Sequence, residues 1–312
     1  MNQIICIAGP TASGKTALAV ELAQEYGGEV VSCDSMQVYK RMDIGTAKPT
    51  PEERQGIPHH MIDVAEPWED YSVSRYCQEA TAVVEDILAR GKTAIIAGGT
   101  GLYMDSLIRG NDFAPFPSTG VRERLEAEAD RVGMEALLQR LREIDPEAAE
   151  RLHLSDRKRI IRALEVYLET GETITAHDAR TRLRPPKYRA YTIGLTFRDR
   201  ADLYERIDCR VDTMVGQGLL QEVEALLKSG LPETATALQA IGYKQFLSVY
   251  RGDTPARDAV AEVKLRSRQY AKRQLTWLRR KEDIHWILWE KTPDFPAGLQ
   301  NATEYLLAQG LG

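Results

Sequence analysis

The chain has 312 residues, of which 43% are hydrophobic and 28% charged, a composition typical of a globular protein with one large domain or two. Its formal net charge of −5 by itself argues weakly against a nucleic-acid-binding protein. No apolar run reaches the roughly 20 residues needed to span a bilayer, and the amino end enters a strand pattern at once, so we expect a cytoplasmic protein with neither signal peptide nor membrane helix.

The first predicted element is a short β-branched strand, residues 4–8, that runs directly into the pattern G-x-x-x-x-G-K-[ST] and then into a helical pattern. Glycines let backbone N–H groups turn toward an anion, the start of the helix adds its dipole, and the lysine adds a point charge. The pattern predicts a phosphate loop that binds a di- or triphosphate, with Mg²⁺ held at the hydroxyl of Thr16. The predicted diphosphate-binding residues of the loop are Gly9, Thr11, Ala12, Ser13, Gly14, Lys15 and Thr16.

Strand and helix patterns alternate through the first hundred residues. The predicted elements are a helix over 18–26, a strand over 29–33, a capped helix that starts at 50–53, a strand near 61–64, a helix over 72–90 and a strand over 93–97. This alternation predicts a parallel α/β core.

A proline-rich stretch at 111–117 precedes a region of purely helical periodicity, which includes residues 121–132, 134–144 and 155–167. A strand pattern resumes at 191–195, and a basic helix near 262–281, a strand over 284–289 and a terminal helix follow. The fold class predicted is therefore α/β, a P-loop NTPase-like parallel sheet flanked by helices with an all-helical insertion domain. We expect residues 1–115 and 187–312 to form the core and residues 116–186 to form the insertion.

The four cysteines are scattered without a C-x-x-C pair, which indicates reduced thiols and neither a zinc site nor a disulfide framework. The charged residues are segregated. Residues 262–281 contain eight basic residues and one glutamate, and two further basic clusters lie at 157–162 and 180–189. One such cluster is as often a solvated helix face, but three in an acidic chain indicate a polyanionic partner.

Two further segments lie where predicted strands end, which is where ligands bind in doubly wound sheets. Asp34 follows the second strand and is a candidate proton acceptor, with a helix N-cap as an equal alternative. The run at 98–103, Gly-Gly-Thr-Gly-Leu-Tyr, allows close backbone approach, with a simple tight turn as the alternative. His59 and His60 stand without a third ligand, and we interpret them as structural.

Eight strings together resemble the tRNA dimethylallyltransferase family, also called tRNA isopentenyltransferases. They are GPTASGKT at 9–16, DSMQVYK at 34–40, DIGTAKP at 43–49, PHHMID at 58–63, GGTGLY at 98–103, KRIIRALEVY at 158–167, AIGYKQ at 240–245 and AKRQLTWLR at 271–279. Their order and span cover nearly the whole chain. The departures are small: Lys158 stands where the family leads us to expect glutamine, and Met36 where many members carry another apolar residue.

The resemblance implies that the phosphate loop binds dimethylallyl diphosphate and not ATP, and that the partner is a tRNA anticodon stem-loop. The group transferred would go to the adenosine immediately 3′ of the anticodon in tRNAs that read codons beginning with U. Asp34 would accept the proton, with Lys15 and Thr100 as further catalytic residues and Arg206 or Arg210 on the diphosphate. The expected tRNA-binding residues are Asp34, Ser35, Met36, Gln37, Thr100, Arg122, Lys158, Arg159, Arg162, Gly242, Tyr243, Lys244, Gln245, Arg268, Lys272 and Arg273. We expect a monomer.

Three alternatives remain open from the sequence. An adenylate isopentenyltransferase that modifies free AMP, ADP or ATP shares the reaction, although it has no use for the helical insertion or the basic helix. A small-molecule P-loop kinase would also use Lys15, Thr16 and Asp34. A non-catalytic RNA-binding ATPase would explain the basic faces, but it requires a water-positioning residue that the sequence does not show.

Overall fold

The computed structural model describes residues 1–111 and 119–311, apart from the side chain of Arg182. The chain divides into two compact units, one formed by residues 1–110 with 187–312 and the other by residues 111–186. The predicted boundary between residues 115 and 116 lies outside the described residues. The other predicted boundary, between 186 and 187, coincides with the division observed.

The first unit contains a six-stranded sheet in the order β3-β2-β4-β1-β5-β6, and every pair of neighbouring strands is parallel. The predicted α/β fold class is thus confirmed. The strands are β1 (Asn2–Ala8), β2 (Gly28–Cys33), β3 (His59–His60), β4 (Thr93–Gly98), β5 (Tyr188–Phe197) and β6 (Ile284–Trp289).

Helices cover the sheet because parallel strands are joined by crossovers that pack on its faces. In the first unit they are α1 (Lys15–Glu25), α2 (Pro51–Arg54), α3 (Val73–Ala89), α4 (Gly101–Arg109), α10 (Arg200–Gly216), α11 (Leu219–Lys228), α12 (Tyr243–Tyr250), α13 (Ala256–Leu278) and α14 (Phe295–Ala308). The helices of the second unit are α5 (Val121–Val132), α6 (Met134–Ile144), α7 (Pro146–Arg151), α8 (Arg157–Thr170) and α9 (Ile174–Leu183).

The centre of the sheet is apolar on both faces. Ile4, Ile5 and Ile7 of β1 are fully buried, which accounts for a continuous run of β-branched residues where a half-exposed strand would alternate. Leu18 and Leu22 of α1 pack into the same core. This packing fixes the carboxyl ends of β1, β2 and β4 beside one another.

One predicted strand is wrong. Residues 61–63 form bends, residue 64 has no regular structure, and the edge strand β3 lies just before them. Met61 and Asp63 have φ angles of 61° and 57°, a left-handed conformation that no β-strand accommodates. His60 pairs instead with the buried Glu29 at 2.7 Å, so this histidine has a structural partner.

The second unit has a core of its own, formed by apolar side chains of α5, α6 and α8. Leu137, Leu141, Ile160 and Leu164 are fully buried in it. The bounds of α5 and α6 agree with the predicted ones, because each helix carries an apolar stripe at helical spacing and a glycine separates the two.

The thiols Cys6, Cys33, Cys77 and Cys209 are all free. Within residues 1–111 and 119–311, no helix combines the length and apolar character required to cross a bilayer.

Candidate active site

The phosphate loop, residues 9–16, joins the carboxyl end of β1 to the first turn of α1. Gly14 has a φ of 88° and forms the N-cap of α1, and no described side chain caps that helix. The N–H groups of its first turn are therefore directed at an anion-binding position. Gly9 has a packing role, because a Cβ there would lie 2.7 Å from the carbonyl oxygen of Leu195 in β5.

The last strand and helix of the chain support the loop from behind. The indole Nε1 of Trp289 donates to the carbonyl oxygen of Ser13 at 2.8 Å. The ring of Phe295 lies so close to Gly14 that a Cβ there would come within 2.9 Å of it. The conformation of the loop is thus held by residues distant in the chain, 276 positions away in the case of Trp289 and Ser13, which no local pattern could predict.

Two largely buried cations lie near each other at this site, Lys15 in the loop and Arg210 on α10. Lys15 Nζ donates to the carbonyl oxygen of Pro10 at 2.7 Å. Burial, and then the neighbouring charge of Arg210, lower the pKa of Lys15 to about 8, against an opposing effect of Asp34. Burial also lowers the pKa of the Arg210 guanidinium. A bound anion would relieve both effects, so the electrostatics favour a negatively charged ligand.

Asp34 follows β2 and begins a turn. Its Oδ1 accepts hydrogen bonds from the backbone N–H groups of Met36 at 2.8 Å and Gln37 at 3.3 Å. Among the described residues, no side chain donates to this carboxylate, so Oδ2 is free to accept a proton from a ligand. Residues 35–38 form a turn and not a helix, so the alternative of a helix N-cap is wrong, and Asp34 caps a turn through one of its two oxygens.

Thr100, in the second glycine-rich segment, is bound to the turn that Asp34 begins. Its Oγ1 accepts a hydrogen bond from the N–H of Ser35 at 3.1 Å, and its own N–H donates to the carbonyl oxygen of Cys33 at 3.2 Å. The hydroxyl of Tyr270 also bonds to the Thr100 side chain, and burial raises the pKa of Tyr270 to about 12. Tyr270 is therefore a neutral hydroxyl at physiological pH.

Sequence reasoning missed Gln274, which joins the two loops. It is 6% exposed on α13. Its Oε1 accepts a hydrogen bond from the N–H of Thr11 at 2.9 Å, and its Nε2 donates to the carbonyl oxygen of Gly99 at 2.9 Å. The backbone N–H of Thr11 is thus engaged by Gln274, which leaves only the Thr11 side chain for the predicted diphosphate contact. The available signal was a glutamine inside the apolar stripe of a basic helix.

These groups surround a cavity of about 1170 Å³ in the first unit. Arg206 Nε contacts the carbonyl oxygen of Ala12 at 3.3 Å, and Arg210 Nη2 that of Ala47 at 3.5 Å. The predicted site residues that line the cavity are Thr11, Ala12, Ser13, Gly14, Lys15, Thr16, Asp34, Ser35, Met36, Gln37, Arg206, Arg210, Gly242 and Arg273. Other predicted residues of this unit are not in its lining, namely Gly9, Thr100, Tyr243, Lys244, Gln245, Arg268 and Lys272.

Two residues predicted to contact tRNA are engaged inside the protein. Tyr243 is fully buried, and its hydroxyl donates to Glu222 at 2.5 Å, so its predicted tRNA contact is corrected to an internal one. Gln37 accepts a hydrogen bond from Ser32 Oγ at 2.9 Å and donates to the carbonyl oxygens of Thr46 and Ala47, each at 3.2 Å. The amide of Gln37 therefore shapes the cavity wall.

Half of the predicted cationic face of α13 is neutralised by acidic partners. Arg268 pairs with Asp208 at 2.6 Å and Lys264 with Asp212 at 2.6 Å. Arg266 and Lys281 also have acidic partners. The exposed cations of this region without a described acidic partner are Lys272, Arg273, Arg279 and Arg280. A surface groove on the same helix is lined by Gln269, Lys272, Arg273, Thr276, Trp277 and Arg280.

The second unit holds the remaining predicted tRNA contacts on or near α8. Lys158 and Arg159 are exposed. Arg159 pairs with Asp156 at 3.1 Å, and Arg162 and Arg122 reach Glu165 at 2.8 and 3.9 Å. These half-exposed pairs contribute little to stability and leave N–H groups for another acceptor.

A metal ion would depend on the ligand for most of its coordination. The hydroxyl of Thr16 lines the cavity and is a hard oxygen donor. Within the described ranges, no group of three His, Cys, Asp or Glu side chains could hold a metal. The donor set therefore fits Mg²⁺ that arrives with a diphosphate, and it does not fit a site built by protein side chains alone.

A glycine-rich loop at the end of one parallel strand, beside a carboxylate at the end of another, is the arrangement of P-loop proteins, and its donors suit a phosphorylated ligand. Comparison narrows the class. The model of the IPP transferase family matches residues 37–281. The tRNA dimethylallyltransferase of Acetivibrio thermocellus is 45% identical over 100% of this chain and 99% of its own length.

Solved structures agree with this result. The tRNA isopentenylpyrophosphate transferase of Staphylococcus epidermidis is 40% identical and has a TM-score of 0.72, with 99% of this chain and 100% of that chain covered. A eukaryotic dimethylallyltransferase acting on tRNA has a TM-score of 0.82 at 31% identity, with 99% of this chain and 78% of that chain covered. The chain belongs to the IPP transferase family.

Proposed function

We propose that the protein transfers the dimethylallyl group of dimethylallyl diphosphate to the N6 amine of the adenosine immediately 3′ of the anticodon, in tRNAs that read codons beginning with U. The observation that carries the proposal is the single cavity that contains both the phosphate loop and Asp34. Relatives named tRNA dimethylallyltransferase, 45% identical over nearly their whole length, support transfer of a dimethylallyl group to tRNA.

The diphosphate binds to the phosphate loop. The first-turn N–H groups of α1, Lys15 and either Arg206 or Arg210 stabilise the charge that develops on the departing oxygen, which is the largest contribution that fixed donors make to such transfers. Mg²⁺ held by Thr16 and the diphosphate oxygens would supply further charge neutralisation. The buried cations, which repel each other without an anion, favour this ligand.

The adenine amine attacks the allylic carbon, the bond between that carbon and the bridging oxygen breaks, and pyrophosphate leaves. The amine is a poor nucleophile because its lone pair is delocalised into the ring, and Asp34 Oδ2 accepts the proton that it loses. A positioned base contributes about 10²- to 10⁴-fold to such a step. Thr100 and Ser35 hold the turn from which Asp34 projects.

A base stacked in the anticodon loop cannot enter a cavity beside the phosphate loop, so the target adenosine must be turned out of its stack. This costs a few kcal/mol, which contacts to the tRNA backbone must offset. For these contacts we propose Lys272 and Arg273 of α13 and Arg280 just beyond its end, which have no described acidic partner, together with the exposed Lys158 and Arg159 of the second unit.

The test incubates the protein with radiolabelled dimethylallyl diphosphate and, in separate reactions, with unmodified tRNA, an anticodon stem-loop, AMP and ATP. We expect label in the tRNA and in the stem-loop, and none in a matched stem-loop with guanosine in place of the target adenosine. Label in AMP but not in the stem-loop would show a free-nucleotide transferase. Phosphorylation of a metabolite at the expense of ATP would show a kinase.

A further inference from the structure

We propose that Gln274 is a positioning residue that aligns the two substrates with each other. The inference rests on the proposed function, and it concerns a side chain that is assigned neither to the diphosphate nor to the tRNA. Gln274 lies on α13 with both ends of its amide engaged, one on the phosphate loop and the other on the second glycine-rich loop.

The two hydrogen bonds of Gln274 link the phosphate loop to the turn that carries Asp34 through a few residues. Thr11, which donates to Gln274, belongs to the loop that holds the diphosphate. Gly99, which accepts from Gln274, precedes Thr100 in the chain, and Thr100 in turn accepts a hydrogen bond from the residue after Asp34. Gln274 is therefore the side chain that ties the leaving-group loop to the turn that carries the proposed base.

The surroundings of Gln274 leave it little freedom. A Cβ added at Gly99 would lie 2.1 Å from Gln274 Nε2, so the backbone approaches the amide as closely as glycine allows. A buried amide with an unmade hydrogen bond loses stability, and here the donor and the acceptor of the amide each satisfy a backbone group. The pairing of Ala8 with Gly98 in the sheet sets the two loops side by side, and the amide fixes how the residues just beyond that pair lie against each other.

Transfer requires the adenine amine, the allylic carbon and the bridging oxygen to be in line. A misplacement of about 1 Å can reduce such a rate by about 10²-fold, while each substrate still binds its own half of the site. Loss of the Gln274 bridge is therefore expected to lower kcat far more than it raises either KM.

The first test replaces Gln274→Met, which keeps the length and burial of the side chain and removes both hydrogen bonds. We expect kcat for transfer to the stem-loop to fall by about 10- to 100-fold, with the KM of dimethylallyl diphosphate and of the stem-loop changed by less than about threefold. Gln300→Met, the same change at an exposed position of α14, is the matched control and should behave as wild type. An unchanged kcat per folded Gln274→Met molecule would overturn the proposal.

The second test, Gln274→Glu, separates positioning from packing. As a carboxylate, the new side chain accepts from Thr11 but repels the carbonyl oxygen of Gly99, and as a carboxylic acid it donates to that oxygen again. The ratio of variant to wild-type kcat should therefore rise as the pH falls, since dividing by the wild-type value removes the pH dependence that the two proteins share. A pH-independent ratio would contradict the positioning role.

The third test adds Gly99→Ala, whose Cβ would displace the amide. Both changes break the same contact, the one between Gln274 and Gly99. The double variant Gly99→Ala with Gln274→Met should therefore lower kcat by less than the product of the two separate effects. An effect equal to that product would contradict the link. The proposed function is checked separately by the wild-type protein. If wild-type protein does not label the stem-loop, the function is wrong; if it does and Gln274→Met is equally active, only the present inference fails.

Discussion

The two ends of β2 each carry a carboxylate, and these carboxylates differ in almost every physical respect. Glu29, near the start of the strand, is 3% exposed and is paired with Arg90 at 2.6 Å, Lys92 at 2.6 Å and His60 at 2.7 Å. Asp34, just after the end of the strand, faces a cavity, and its described hydrogen-bond donors are two backbone N–H groups.

The difference shows how a structural carboxylate is distinguished from a reactive one. Hydrogen bonds from Arg90, Lys92 and His60 hold the pKa of Glu29 well below its usual range, in spite of a burial effect in the opposite direction. A carboxylate so stabilised does not take a proton from an amine near neutral pH. Asp34 keeps one oxygen for a ligand, and the cations near it, Lys15 and Arg210, are themselves without acidic partners among the described residues.

The largest effect on the rate of transfer is expected when Lys15, a cation beside Asp34, is removed. Lys15→Ala removes the charge beside the departing oxygen, and we expect transfer to fall by about 10³-fold with tRNA binding nearly unchanged. Lys92→Ala, which removes a lysine from Glu29 at the other end of β2, is the matched control and should retain the specific activity of wild type. Single-turnover transfer and a stem-loop binding assay measure the two effects. Near-normal turnover by Lys15→Ala would break the comparison.

The next effect concerns the carboxylate at the cavity. Asp34→Asn keeps the size of the side chain, and its amide oxygen can still accept from Met36 and Gln37, so the protein should fold. We expect kcat to fall by about 10²-fold or more, with little change in the melting temperature. A variant that melts earlier but keeps its specific activity would return Asp34 to a capping role alone.

Glu29→Gln should do the opposite. It leaves Lys92 without a counter-charge and Arg90 with Asp86 alone, although both cations are partly exposed and can be solvated. We therefore expect a loss of about 2 kcal/mol in the free energy of unfolding and an unchanged kcat per folded molecule. Because the pKa of Glu29 is depressed in the folded state, its contribution is complete above the unfolded pKa and is lost as the pH falls below about 4.

Chemical unfolding of wild type and of Glu29→Gln between pH 7 and pH 3 measures this contribution. The difference between the two proteins should shrink toward the acid end. A constant difference, or a kcat reduced as far as in Asp34→Asn, would show that the two ends of β2 do not differ as described.

Local sequence patterns predicted the role of Asp34 at one end of β2, but not that of Glu29 at the other. The phosphate loop and Asp34 were recognisable because glycine spacing and the residue after a strand are local features. Glu29 was not, since its partners at positions 60, 90 and 92 come from separate elements that only the sheet brings together. The same reason explains why Gln274 was missed. The wrong strand at 61–64 has another cause, because the left-handed conformations of Met61 and Asp63 leave no mark in a hydrophobicity pattern.

The smallest expected effect is on tRNA binding by α13. Here too, charges that are paired within the protein are compared with charges that have no described partner. The sequence indicated Arg268, Lys272 and Arg273 as a set, but Arg268 is held by Asp208, and its removal would also leave that carboxylate unpaired. The sharper variant neutralises Lys272, Arg273 and Arg280. The control neutralises two ion pairs whole, Lys264 with Asp212 and Arg266 with Glu262, so that the net charge does not change.

The first variant should raise the KM for tRNA severalfold and reduce the slope of log K against log salt concentration by about 0.7 to 0.9 for each tRNA phosphate that the protein no longer neutralises. The KM for dimethylallyl diphosphate should hardly move, because the phosphate loop is untouched. The control should keep the wild-type slope, since a cation already bound to a carboxylate releases no counterion from the tRNA. Equal slopes in both variants would mean that pairing within the protein does not decide which cations of α13 meet the nucleic acid.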